Sequence, residues 1–139
     1  MRGPDGPRRQ GPGPGHEMNT RVLIVESEPN LGALWQRHLE RSAAIVEVVG
    51  SQDEAVARLS EKAFDVIVLD LILASGSAIA VADYASYRRP EAKVVFVTST
   101  TFFSDGSIFR HMPNASAFLP RGTPPDDLAA VVEHYGRAH

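Results

Sequence analysis

Glu26, Asp70, Thr98 and Arg121 are the residues whose types and placement suggest chemistry, because each ends or directly follows a short apolar run. Arg21-Val22-Leu23-Ile24-Val25 leads into Glu26-Ser27-Glu28, and Asp65-Val66-Ile67-Val68-Leu69 ends at Asp70. Lys93-Val94-Val95-Phe96-Val97 ends at Thr98-Ser99, and Ala117-Phe118-Leu119-Pro120 ends at Arg121. A carboxylate at the end of a buried strand is partly desolvated, which is unfavourable without a partner or a purpose. Two carboxylates that converge imply a shared proton or a bound cation. Hard oxygen donors of this kind suit Mg²⁺, which keeps several waters and takes one or two carboxylates plus phosphate oxygens. A carboxylate can also attack phosphorus and form an aspartyl-phosphate. That transfer needs little beyond positioning and cations around the phosphoryl oxygens. In this chemistry Asp70 is the nucleophile, Thr98 donates its hydroxyl to one oxygen and Arg121 holds another. Alone, Asp70 reads equally well as a strand-end residue capping the next turn. The matching positions of the other three favour function.

Four separated segments deliver their end residues to one place if the runs are parallel strands, because ligands bind outside the carboxyl ends of such a sheet. The remaining pattern supports this. The strands are expected at 21–26, 44–49, 65–70, 93–98 and 117–121. The apolar middle of the third suits a strand covered on both faces. Pro29 suits the first turn of a helix, on which Leu31, Leu34, Trp35 and Leu39 share a face. Ser51-Gln52-Asp53-Glu54 reads as a capping box before Ala55, Val56 and Leu59. A small-residue helix is expected over 78–87, after Gly76-Ser77, and a short one over 104–112. Thr123-Pro124-Pro125-Asp126 caps a last helix that turns Leu128, Val131, Val132 and Tyr135 inward. Five strands alternating with five helices predict an α/β fold. Its expected form is a doubly wound, flavodoxin-like parallel sheet of order 2-1-3-4-5, with the switch point between the strands that end in Glu26 and Asp70.

The 139 residues allow one domain and a tail. Residues 1–18 are Gly- and Pro-rich and nearly devoid of apolar side chains, so a disordered tail is expected there, with the domain over 20–138. The folded pattern begins directly after Met18. A net charge of -3 argues against a non-specific nucleic-acid binder. The absence of cysteine excludes disulfides and thiolate metal sites. No apolar segment is long enough for a membrane span and no secretory signal is visible, so a cytoplasmic location is expected.

With these motifs in order, the stretch from Arg21 to about Arg137 resembles a receiver domain of two-component response regulators, the CheY-like (βα)5 family. Val22-Leu23-Ile24-Val25-Glu26-Ser27-Glu28-Pro29 resembles the acidic motif of the first strand. Asp65–Leu71 resembles the phospho-acceptor strand, with Asp70 as acceptor, and Leu73-Ala74-Ser75-Gly76-Ser77 the loop into helix three. Val95–Ser99 resembles the strand of the switch hydroxyl, here Thr98. Phe118–Arg121 with Pro125-Asp126-Asp127-Leu128 resembles the last strand and helix five, with Phe118 as the switch aromatic. The resemblance implies a single-domain response regulator, not a dedicated enzyme. It would take a phosphoryl group on Asp70 from a sensor histidine kinase or a phosphotransfer protein in a phosphorelay. Mg²⁺ would be held by Glu26, Ser27, Asp70 and the backbone carbonyl of Ile72. Output would be contact with a downstream protein through the face formed by helix four, the last strand and helix five. Neither nucleic acid nor membrane is an expected partner, and a homodimer is among the assemblies the resemblance allows.

Two positions depart from the family pattern. The second acid of the first strand, a direct Mg²⁺ ligand, is Ser27 here, so metal should bind weakly or through water. The almost fixed lysine before a proline is Arg121 before Gly122. Arginine keeps the charge and can grip phosphate in a fork, but it is longer and planar. Without phosphate, Arg121 is expected to point into the cleft and pair with Asp70 or Glu26. These departures define the alternative: a degenerate receiver acting as a phosphorylation-independent interaction module. The five histidines show no metal spacing. Thr100-Thr101-Phe102-Phe103 is expected to pack over the short helix or to contact a partner.

Overall fold

The computed structural model describes residues 20–98 and 115–136. The expected tail, Ser99, the Thr100–Phe103 segment and the short helix over 104–112 lie outside the described residues.

The strands are β1 (Arg21–Val25), β2 (Ile45–Val49), β3 (Val66–Asp70), β4 (Lys93–Thr98) and β5 (Ala115–Pro120). The helices are α1 (Pro29–Glu40), α2 (Gln52–Glu61), α3 (Ala78–Arg88) and α4 (Pro125–Gly136). All strand pairs are parallel, in the order β2-β1-β3-β4-β5. That is the doubly wound sheet the alternation implied. β5 begins two residues earlier than the apolar run suggested, and an irregularity in its register at Val94/Val95 accommodates the shift.

Strand residues point alternately to the two faces, and the core divides accordingly. Leu23, Val25, Ile67, Leu69, Val94 and Phe96 pack on one face with Ala55, Leu59, Val81 and Ala85 of α2 and α3. Val22, Ile24, Val66, Val68, Val95 and Val97 pack on the other with Trp35, Leu39, Leu128 and Val132 of α1 and α4. β3 is buried along its whole length. Its uninterrupted apolar run is therefore covered on both sides, and Asp70 ends the most enclosed strand.

Helix starts are set by local chemistry. Glu28 caps α1 by accepting from Asn30 N at 3.2 Å, and Pro29 opens the helix. Ser51 caps α2 by accepting from Glu54 N at 3.3 Å. Glu54 does not close the box on Ser51 N. Its Oε1 instead accepts from Gly50 N at 2.8 Å, one residue earlier. Ser77 caps α3. No helix among the described residues is long and apolar enough to cross a membrane.

Candidate functional site

The β-sheet register decides which end residues meet. Val25 pairs with Leu69, so Glu26 falls beside Asp70. Asp70 pairs with Val97, and Val97 with Leu119. Paired residues of a parallel sheet share a face, so continuing the alternation one step places Arg121 on the same face as Asp70 and Glu26. Thr98 falls on the opposite face, in line with Phe96 and Phe118.

The contacts agree with that geometry. Arg121 Nη2 donates to Glu26 Oε2 at 2.9 Å and lies 3.4 Å from Asp70 Oδ2. The guanidinium thus points into the cleft and bridges both acids. The Arg121 side chain is 44% exposed, while those of Glu26 and Asp70 are 0% and 1% exposed. Arginine is therefore the solvent-facing member of the trio and sits over the buried carboxylates. Arg121 N also donates to Thr98 O at 2.8 Å, which fixes the start of the turn after β5.

Glu26 lies at the point where α1 approaches the sheet closely. A Cβ on Gly32 would come within 3.0 Å of Val48 and 3.8 Å of the Glu26 Cβ. Glu26 Oε2 accepts from Glu28 N at 2.9 Å. Burial is the largest cause that pushes the Glu26 carboxyl up to about 7 from its ordinary 4.5, followed by a hydrogen bond with Asp70. The Glu28 amide and the Arg121 charge pull it down less strongly. When both acids are ionised, Glu26 Oε1 and Asp70 Oδ2 are buried and accept no hydrogen bond among the described residues, Arg121 reaching Asp70 Oδ2 only as an ion pair at 3.4 Å. A proton on Glu26 resolves this by bonding it to Asp70.

Asp70 uses its other oxygen locally, since Oδ1 accepts from Ile72 N at 2.9 Å. That bond fixes the Ile72 backbone beside the acid. Ser27, expected as a weak or water-mediated ligand, has its hydroxyl engaged elsewhere. It donates to Gly50 O at 3.1 Å and accepts from Ala74 N at 2.8 Å. It ties the loop after β3 to the loop after β2. Glu28 is exposed, and its carboxylate is engaged in capping α1 through Asn30 N.

Thr98 is fully buried, and its Oγ1 has no partner among the described residues. Phe118 packs inward on the α2/α3 face and stacks on Phe96, with ring centroids 5.0 Å apart and planes at 12°. The register therefore groups Glu26, Asp70 and Arg121, and places Thr98 with Phe118 on the opposite face.

Gln52 belongs to the site, although the sequence marked it only as part of a helix cap. Its Oε1 accepts from Ser77 N at 2.8 Å and its backbone N donates to Ser75 O at 3.3 Å. With the Ser27 and Asp70 bonds, the loop over 71–77 is held at both ends and in the middle. Gly76-Ser77 was the available signal for this turn, but its meaning depends on the approach of α2.

Residues 22–133 match the model of the response regulator receiver domain. This chain belongs to the response regulator receiver family. The Pseudomonas aeruginosa transcriptional activator protein PfeR is 28% identical over 101 residues, which are 73% of this chain and 32% of that protein. The chain thus spans about a third of the length of that curated relative. A CheY-like receiver domain protein from Methanospirillum hungatei superposes with a TM-score of 0.77 at 22% identity, covering 85% of this chain and 94% of the other. The response regulator TrrA from Thermotoga maritima, solved in complex with Mg²⁺–BeF, gives 0.72 at 22% identity over 84% and 98%. These likenesses agree with the two-component signalling fold expected from the motifs, and the family is one of signalling domains, not classical enzymes.

Removing Arg121 should expose the electrostatic character of the trio. Breaking a buried ion pair from one side leaves an uncompensated charge, and solvent at the half-exposed guanidinium reduces the effect. Arg121→Ala is expected to cost about 2 kcal/mol at pH 8. Because Arg121 lowers the Glu26 pKa, its loss raises that value further. The penalty then grows as pH rises through about 7, where Glu26 ionises in the folded protein, and is least at lower pH, where Glu26 is protonated. Urea unfolding of both proteins from pH 4 to 8 checks this.

Proposed function

We propose that this domain acts as a protein-interaction module whose acidic pocket is compensated by Arg121, with output through contact and not through phosphate on Asp70. The observation that carries this reading is the bridge of Arg121 Nη2 to Glu26 and Asp70 at 2.9 and 3.4 Å over two enclosed carboxylates. A phosphodonor must displace that guanidinium to reach Asp70 Oδ2. The engagement of Ser27 with Gly50 and Ala74 supports it further. The contact surface would be the side of the domain built from β5 and α4, with a protein partner in a two-component pathway.

A second reading has its own support. Asp70 Oδ2 and Thr98 Oγ1 have no hydrogen-bond partner among the described residues. These are the atoms that would take a phosphoryl group and bond it, with Arg121 moving from Glu26 to a phosphoryl oxygen. In that reading Asp70 receives phosphate from a sensor histidine kinase or a phosphotransfer protein.

Intact-mass measurement after incubation with acetyl phosphate and Mg²⁺ separates the two. The module reading expects no adduct, and unchanged partner binding by Asp70→Asn. One added phosphoryl mass that is labile in alkali and lost in Asp70→Asn would establish the second reading instead.

A further inference from the structure

The donor set of this pocket does not suit a divalent cation, and three observations agree on this. The first is charge: the two carboxylates already share a guanidinium at 2.9 and 3.4 Å. A second cation placed between them would meet Arg121 at close range in a poorly screened site. The second is ligand number. Among the described residues no group of three or more His, Asp or Glu side chains converges to hold a metal. Ser27, at the family's ligand position, engages its hydroxyl with Gly50 O and Ala74 N. The third is the loop after β3, which a metal would otherwise help to order. Asp70, Ser27 and Gln52 already hold it through Ile72, Ala74 and Ser77.

We propose that Arg121 is the resident cation of this site, replacing the divalent metal, and that its removal converts Glu26 Oε1 and Asp70 Oδ2 into a divalent-cation site. Those two oxygens are buried and accept no hydrogen bond among the described residues, and Arg121 covers both carboxylates through Asp70 Oδ2 and the neighbouring Glu26 Oε2, so its removal opens them. Together with waters they would form a weak oxygen site for Mg²⁺. A carboxylate at position 27 would strengthen it. The proposal deepens the reading of an Arg121-compensated pocket and rests on the same bridge.

The test is a Mg²⁺ titration followed by thermal unfolding, with Mn²⁺-enhanced water proton relaxation as a direct measure of binding. Wild type should shift by less than about 1 °C between zero and 10 mM Mg²⁺ and give no relaxation enhancement. Arg121→Ala should gain about 4 °C over the same range, as a millimolar site would give. Ser27→Asp/Arg121→Ala should bind Mn²⁺ about tenfold more tightly than Arg121→Ala, because it restores a hard anionic ligand. If Arg121→Ala fails to fold, Arg121→Gln keeps the bulk without the charge and should respond likewise. A wild-type response to Mg²⁺ that disappears in Asp70→Asn overturns the proposal, as does a folded Arg121 variant that gains none. The outcomes also separate this proposal from the functional reading. Mg²⁺ binding by wild type without phosphorylation defeats only the resident-cation proposal. A phosphoryl adduct formed in the presence of EDTA defeats only the phosphate-independent function.

Discussion

Glu26→Gln is expected to make the domain more stable than wild type at pH 8, by as much as roughly 3 kcal/mol, and to flatten its stability between pH 4.5 and 7. The reason lies in the burial of Glu26. Its carboxyl is pushed up to about 7 in the fold from an ordinary value of 4.5, with desolvation as the largest cause and the Asp70 hydrogen bond second. A raised carboxyl pKa means that the native state holds a proton the unfolded chain has released. Through that window the native state binds more protons, so stability falls as pH rises. The cost is complete above pH 7 and absent below 4.5. Glutamine cannot ionise. It retains an oxygen for Glu28 N, and its amide can donate to Asp70 as the protonated acid does. The attraction of half-exposed Arg121 for ionised Glu26 is already contained in that value, and any hydrogen bond that glutamine makes less well than the protonated acid reduces the gain, so about 3 kcal/mol is an upper figure. Unfolding free energies from pH 4 to 8 are the measurement. A variant with the wild-type slope would show that Glu26 is not the proton-holding group.

The same residue shows how far the sequence could lead. Glu26 and Asp70 were legible because a strand-like apolar run has a definite end, and in a parallel sheet that end faces the site. Their adjacency followed once the order 2-1-3-4-5 was inferred. Arg121 was legible in the same way, through Phe118-Leu119-Pro120. The role of Ser27 was not. Its type allowed weak ligation, but its actual partners, Gly50 O and Ala74 N, come from two other loops. Their positions depend on where α2 starts and how the loop over 71–77 folds. Gln52 was hidden for a related reason. In Ser51-Gln52-Asp53-Glu54 the local helix signal is strong, and nothing in that signal reports that Gln52 also reaches Ser77. The division between the Arg121 trio and the Thr98–Phe118 pair required the β4–β5 register. An irregularity at Val94/Val95 sets that register, and no residue type announces it.

Gly76→Ala is expected to destabilise the domain by about 3 kcal/mol, for two separable reasons. Gly76 has φ +92°, a conformation that a residue with a Cβ adopts only under strain. That conformation costs roughly 1–2 kcal/mol. The added methyl would also lie 2.3 Å from Gln52 Cβ and 2.8 Å from its Oε1. The Cβ contact cannot be relieved by rotating the Gln52 side chain, so the α2 terminus or the loop must shift, at a cost of roughly 1–3 kcal/mol. Either shift strains the Gln52–Ser77 bond and loosens the segment that follows Asp70. Amide exchange over 72–77 should therefore accelerate more than exchange in β3. A double-mutant cycle with Gln52→Gly distinguishes the two causes. Without a Cβ at position 52 the side-chain clash disappears and only a 3.3 Å approach to the position-52 backbone N remains, so Gly76→Ala should then cost little beyond the backbone term of about 1–2 kcal/mol. An equal cost in both backgrounds would mean that α2 does not press on this loop. The order of the loop would then rest on Asp70 and Ser27 without Gln52.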